Sequence, residues 1–376
     1  MANEVGVRIS NKDYRQRKGV SSTDLKHIVK SPAQFRYWKD NPQEDTPALL
    51  FGRAVHKYVL EKDDFFTEFA VAPNVDKRTK VGKEEWALFE NDNQGKDIIT
   101  ADDFEQIKAM YDALYSTPYV AKLLSGTKEL SFFMEDESTG VTMKCRPDCL
   151  TDIGDAHLLI DYKSCADATS EQFMKDAIKL MYDLQMAYYK DILDNVLSKK
   201  IKGSGKLIAE DVKCDNYSLN VIGEEFITSC KVVVERISNK NRNILSKKEY
   251  ESIKDFNEET QKKSDCSMNI YVDFQFMGCE EVEIQLLNSS YDLIEKVSKR
   301  NKKINHTVIF IAQEKTAPYL VNVLEANEYF IKSGRDMYRT YLDMYAECEK
   351  SGNWYGLVNG GINTLGLPNW LQKQYE

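Results

Sequence analysis

The chain has 376 residues, 42% hydrophobic and 30% charged, enough for one sizeable core with a subdomain added to it. Lys and Arg number 51 against 60 Asp and Glu, a formal charge of −9, which excludes a protein whose global charge draws it to polyanions. No apolar run reaches the length of a membrane span, Met1–Arg8 lacks the pattern of a signal peptide, and the eight cysteines show no C-x-x-C; these features argue for a cytoplasmic chain without a disulfide framework.

In chain order, Leu50–Leu60 reads as a helix with Leu50, Ala54, Val55 and Val59 inward, and Gly52 allows close packing one turn before His56. Residues 74–98, with Lys77-Arg78-Thr79-Lys80 and Trp86, read as a basic arm. Ala101–Leu124 carries Phe104, Ile107, Met110, Tyr111, Leu114 and Tyr115 at three-and-four spacing, a helix whose stripe is core. Lys128–Glu135 is strand-like, with Glu129 near its start. Lys144, Arg146 and Asp148 alternate along a further predicted strand, so all three can face one cleft. The polar turn around Gly154 then leads into a strand over Leu158–Lys163, and a helix follows from about Ser170 to Val196.

The chemistry concentrates in the hairpin. Alternation puts Asp161 and Lys163 on one strand face, and Asp148 joins them from the preceding strand. Two carboxylates and an ammonium suit phosphodiester hydrolysis: hard oxygen ligands hold Mg²⁺ or Mn²⁺, and the lysine aligns water and offsets charge developing on phosphate. His56 is either a satisfied core histidine or a third ligand, and Glu129 is either a further acid of the site or a strand-end charge. Gln185 and Tyr189, four apart on one helix face, could hold a DNA strand end. Arg53, Lys144 and Arg146 are the candidates for a DNA-binding groove.

The ordered set Gly52-x-x-x-His56, Glu129, Arg146-Pro-Asp148, Asp161-x-Lys163 and Gln185-x-x-x-Tyr189 resembles the PD-(D/E)xK nuclease superfamily and, within it, the RecE-like exonucleases of the exodeoxyribonuclease VIII group, usually encoded by phages and prophages. The opening Val20–Phe35, with Ser31-Pro32, and the closing Gly334-Arg335, Trp354 and Leu367-Pro-Asn-Trp370 are similar to that family's ends. The resemblance implies a restriction-endonuclease-like α/β core, a central mixed sheet flanked by helices. It also implies metal ligation by His56, Asp148, Asp161 and the main-chain carbonyl of Tyr162, and a water-orienting role for Lys163. Gln185 and Tyr189 match the helix motif that lines the site, and Glu129 matches less closely. The implied activity is Mg²⁺-dependent degradation of linear double-stranded DNA from 5′ ends, leaving 3′ single strands for a RecT-type annealing protein, by a chain that forms homo-oligomers. Iron–sulfur nucleases of the superfamily are a poor match, because no tight downstream cysteine group is present.

One departure is large. Residues 198–306 stand where the family has a short connection, so the reading is a nuclease core in two parts, 1–197 and 307–376, around an inserted α+β subdomain. The insert begins with linker-like Ser198–Lys206, offers strands at Ser218–Ile222, Lys231–Arg236, Asn269–Phe276 and Glu281–Leu287 around a polar stretch from Ser246 to Asp265, and ends in a predicted helix over Tyr291–Lys303. It is a packing elaboration, a partner or oligomer surface, or a phosphate-contacting helix end built from Lys296, Lys299, Arg300, Lys302 and Lys303. For the whole chain, the alternatives to a duplex exonuclease are an endonuclease or single-strand nuclease, or a catalytically silent DNA-binding module.

Overall fold

In the computed structural model, which describes residues 6–41, 45–213, 216–258 and 266–357, the chain opens with α1 (Asn11–Gln16), α2 (Ser22–Ile28), α3 (Pro32–Asp40) and α4 (Pro47–Leu60). Ser10, Ser21, Ser31 and Thr46 accept bonds from first-turn N–H groups, and Pro32 and Pro47 stand where a missing N–H costs nothing. α4 turns Ala54, Val55, Tyr58 and Val59 into the core. After the short α5 (Phe65–Glu68), the parallel strands β1 (Phe69–Val71) and β2 (Asp97–Ile99) bracket α6 (Lys80–Asp92). Residues 74–98 are thus largely helical rather than an arm, with Thr79 capping α6 and the Lys77 ammonium over the Trp86 ring. The helix expected over 101–124 is two, α7 (Ala101–Tyr115) and α8 (Pro118–Leu123), because Pro118 cannot continue a helix but can begin one.

Next come β3 (Thr127–Lys128), β4 (Phe132–Glu135), β5 (Thr142–Cys145), β6 (Cys149–Ile153) and β7 (Ala156–Cys165). Two strands expected to be continuous are broken. Glu129, at φ 55°, separates β3 from β4, and Arg146-Pro147-Asp148 separates β5 from β6. The helix expected from Ser170 is likewise divided into α9 (Ser170–Lys179) and α10 (Tyr182–Ser198) at Met181, whose φ is 53°.

The following segment contains β8 (Lys202–Lys213), β9 (Ser218–Ile222), β10 (Ile227–Ser238), β11 (Ile244–Tyr250), α11 (Ile253–Glu258), β12 (Cys266–Met277), β13 (Val282–Leu287) and β14 (Leu293–Lys299). The strands pair in the orders β11-β10-β12-β8 and β14-β13-β9 and share a core that includes Val232, Met268, Ile270, Phe274 and Leu286. Two expectations fail here. The Gly/Ser/Lys run is a strand, in which Gly203 and Gly205 leave room for Phe276 and Phe274: an added Cβ would come within 2.4 and 2.1 Å of those rings. Residues 291–303 hold no helix either, since β14 pairs along β13, and cross-strand packing has overridden helix-like spacing. Lys296, Lys299, Arg300, Lys302 and Lys303 therefore form no basic helix end. Cys214, residues 259–265 and Leu367-Pro-Asn-Trp370 lie outside the described residues.

β15 (Thr307–Glu314), β16 (Val321–Glu325) and α12 (Glu328–Ser351) complete the elements. The central sheet has the order β16-β15-β7-β6-β3; β15 runs parallel to β7 and the other pairings are antiparallel. On one face Ile160 and Tyr162 of β7 pack with Tyr58, Ile107 and Met110 from α4 and α7. α12 docks on α10 through Gly334, where a Cβ would fall 2.0 Å from the Asp183 carbonyl oxygen, and through Arg335, which donates two bonds of 2.6 Å to Asp191. By their contacts the residues form two units, Met1–Ile192 with Asn305–Glu376, and Leu193–Ile304. No helix among the described residues is long and apolar enough to cross a membrane.

Candidate active site

The β6–β7 hairpin turns at Gly154, whose φ of 60° suits glycine, and its register pairs Cys149 with Ile160. One residue before the ladder begins, Asp148 extends its carboxylate to where a strand carbonyl would stand and accepts the Tyr162 N–H at 2.8 Å. Asp161, 1% exposed, and Lys163 share a face of β7, with Lys163 Nζ 2.7 Å from Asp161 Oδ2.

Three further elements converge on the hairpin. From α4, His56 Nε2 lies 3.0 Å from Asp148 Oδ2, and its Nδ1 lies 3.7 Å from Glu129 Oε1. The break at Glu129 is what turns that side chain toward His56, and the Glu129 N–H donates to the Asp148 carbonyl at 3.3 Å. Ligand atoms of His56, Glu129 and Asp148 all lie within 4.8 Å of one another, the one such trio among the described residues. From α10, Gln185 Nε2 donates to Asp161 Oδ1 at 3.4 Å. Tyr189 lines the same cleft of about 750 Å³ as Gly52, His56, Glu129, Arg146 and Asp148. Gly52 has no neighbour within 4 Å of a notional Cβ, so it opens the cleft wall rather than easing helix packing.

The charges are strongly interdependent. Enclosure works against the His56 imidazolium, but the charge and hydrogen bond of Asp148 and the charge of Glu129 outweigh it and raise the imidazole above its ordinary value. Burial pushes Asp161 up, against the pull of Lys163, and pushes Glu129 up, against the pull of His56. For Asp148 burial loses to the charge and hydrogen bond of His56, and its carboxyl falls below the usual range. Burial opposes the Lys163 charge, yet Asp161 and Asp148 hold this ammonium firmly protonated.

The groove residues read from the sequence are placed differently. Lys144 is 3% exposed and donates to the carbonyls of Tyr14 and Arg17, at 3.0 and 2.7 Å; it anchors the N-terminal segment and cannot face a cleft. The single strand that was to align it with Arg146 and Asp148 does not exist. Arg146 lines the cleft but donates to Ser131 Oγ and the Ile9 carbonyl, both at 3.0 Å, while Arg53 is held by Asp45 and Asp97, both at 2.7 Å. Tyr162 offers its N–H to Asp148 and its hydroxyl to Gln313. Sequence reasoning missed Arg15 and Lys315, which also line the cleft, and Lys26, whose ammonium reaches Gln185 Oε1 at 3.2 Å. Lys26 lies within the opening segment already singled out, but only its distant partner marks it.

An imidazole and carboxylate oxygens are suitable donors for a divalent cation. The buried Asp161 Oδ2 also lacks an aligned hydrogen-bond donor, because the Lys163 ammonium stands at ion-pair distance without hydrogen-bond geometry. The residues present thus fit a metal ion. The sequence profile of the PDDEXK-like domain of unknown function DUF3799 matches residues 21–209, half of the chain. The chain belongs to this family. Every PD-(D/E)xK motif residue described above falls inside the matched span, and the mixed sheet with flanking helices is the PD-(D/E)xK nuclease fold. A search of curated proteins found no match. Among solved structures the chain is similar to a "putative exonuclease" from Eubacterium rectale, with 12% identity, 96% of this chain and 97% of that chain covered, and a TM-score of 0.45.

Proposed function

We propose that this PD-(D/E)xK protein is a metal-dependent deoxyribonuclease of the RecE-like type, degrading linear double-stranded DNA from 5′ ends and leaving 3′ single strands for a RecT-type annealing protein. The observation that carries the reading is the gathering of ligand atoms of His56, Glu129 and Asp148 within 4.8 Å of one another, beside the hairpin that bears the Asp161–Lys163 pair. Polarity, duplex preference and the annealing partner rest on the sequence resemblance.

His56, Asp148 and Asp161 would hold the metal with the Tyr162 main-chain carbonyl, and Glu129 stands by as a further acid. Bound Mg²⁺ or Mn²⁺ would supply Lewis-acid polarisation of the phosphate and a more acidic water. Lys163 orients that water by hydrogen bonding and opposes the negative charge that builds on the phosphate oxygens. Its burial beside Asp161 fixes the ammonium, so little reorganisation is needed when charge develops. Gln185 and Tyr189 hold the strand end, and Arg15 and Lys315, for which no ion pair is found among the described residues, receive flanking phosphates.

The test uses end-labelled linear duplex, closed circular DNA and single strands, each with Mg²⁺, for the wild type and for Lys163→Ala. Loss of the linear duplex alone, abolished by the substitution, is expected. Cutting of the circle makes the protein an endonuclease, and attack on single strands alone makes it a single-strand nuclease. Binding without cleavage makes it a silent module.

A further inference from the structure

Lys26 is a charged residue that the mechanism above does not use, and its surroundings are specific. It projects from α2, half-buried, and its Nζ donates to Gln185 Oε1 at 3.2 Å, while Gln185 Nε2 donates to Asp161 Oδ1 at 3.4 Å. The same ammonium lies 5.3 Å from the centre of the Tyr182 ring, and the Lys163 ammonium lies 4.9 Å from that centre. Two cations therefore share one aromatic ring, with the Asp161 carboxylate ion-paired to one of them and linked to the other through an amide.

The order of charges admits one orientation of that amide. Turned over, Gln185 would set its NH₂ against an ammonium and its carbonyl against a carboxylate, two repulsive contacts in place of two attractive ones. With Lys26 present, the NH₂ is fixed on Asp161 Oδ1. Oδ2 is then the oxygen left for Lys163 and for a cation. Without Lys26 only the contact with Asp161 opposes the turned-over amide, and Gln185 loses the partner that anchors its carbonyl end, so its hold on Asp161 Oδ1 loosens.

We propose that Lys26 is a positioning residue of the nuclease site, holding the Gln185 amide so that Asp161 presents a single defined oxygen to metal and lysine. The inference rests on the metal-nuclease reading. It concerns a residue whose hydrogen bond to the site runs through Gln185. Burial, followed by repulsion from Lys163, lowers the Lys26 pKa to about 8, against the pull of Asp161 and Asp183.

The experiment is a double-mutant cycle on the full chain with two readouts, Mn²⁺ affinity by calorimetry and the cleavage rate on linear duplex DNA. Lys26→Met and Gln185→Ala are each expected to weaken Mn²⁺ binding about tenfold, the usual effect of removing a partner of a metal ligand. The double variant is expected to be no worse than Gln185→Ala, since the two residues act in series. Lys26→Arg, which keeps a donor, is expected to restore most of the affinity, and it serves as the folded comparator if Lys26→Met lowers the melting temperature. Wild-type affinity in a folded Lys26→Met, multiplied effects in the double variant, or an Arg variant as impaired as the Met variant each overturn the proposal. A wild type that binds Mn²⁺ and cuts DNA while Lys26→Met does the same sinks this inference alone. A wild type that does neither sinks the metal-nuclease reading first.

Discussion

Two central strands show how differently the two units of the chain handle charge. β12, of 12 residues, alternates along its length: Met268, Ile270, Val272, Phe274 and Phe276 turn inward, and Asn269, Asp273 and Gln275 turn toward solvent. Its Asp273 stands in register between Lys206 and Lys231, with Lys206 Nζ 3.5 Å away, an exposed arrangement worth little to stability. β7, of 10 residues, is buried from Leu158 to Tyr162 and keeps Asp161 inside that stretch. An ionised carboxylate there costs several kcal/mol of desolvation, which its ion pair offsets only in part. A charge kept in such a place marks a site; a charge on the outer face of β12 marks solvation. Cavity size does not mark it, since residues of the second unit bound a cavity of about 840 Å³, larger than the cleft lined by His56 and Asp148.

The contrast is broken most directly at the two lysines. Lys163→Ala is expected to lower the cleavage rate about 10³-fold, whereas Lys231→Ala, on the outer face of β10 and paired with Glu249, is expected to cleave as the wild type does. Equal rates for the two variants in a steady-state nuclease assay would erase the distinction.

The next largest effect is on stability, at the close approach within the first unit. Gly334→Ala forces a Cβ against the Asp183 carbonyl and is expected to cost about 3 kcal/mol. Gly52→Ala, with open space around its Cβ and a helical backbone, is expected to gain about 1 kcal/mol. Urea melts of both variants give the two signs.

Asp136→Asn tests a second buried charge, one matched by an arginine and two hydroxyls. Burial opposes the Asp136 charge, but Arg339 at 2.5 Å, Ser138 and Thr139 hold its carboxyl down at about 2. A depressed carboxyl contributes stability that is complete above its unfolded value, near 3.9, and is lost as pH falls through the folded one. Asp136→Asn is expected to cost about 1–2 kcal/mol at pH 7. The gap from wild type should narrow below about pH 4 and close near pH 2, which denaturation at a series of pH values will show.

The smallest effect is expected from removing the second unit. Its ends meet where the Ile304 N–H donates to Ser198 Oγ at 2.9 Å, so replacing residues 199–303 by a short Gly/Ser linker bridges a small gap. Cleavage is expected to persist. Loss of cleavage in a folded deletion protein would assign the insert a part in the reaction.

The hairpin was legible because Asp148, Gly154, Asp161 and Lys163 lie in one short stretch, and the alternation that groups them is a property of any extended chain. The helix bearing His56 was legible for the same local reason. Broken elements were not. Glu129 and Met181 adopt positive φ without being glycine, a choice imposed by the surrounding packing, and nothing local distinguishes the strand glycines Gly203 and Gly205 from those of a linker until Phe274 and Phe276 lie over them.

What the sequence determined by itself was periodicity: which residues of a strand or helix share a face, and hence that two carboxylates and a lysine stand together. Only the tertiary structure decided which charges are already satisfied. Lys144 is taken up by carbonyls from the N-terminal segment, and Lys26 reaches a glutamine 159 residues away. A side chain's partners are set by elements brought together in space, and local spacing carries no record of that meeting.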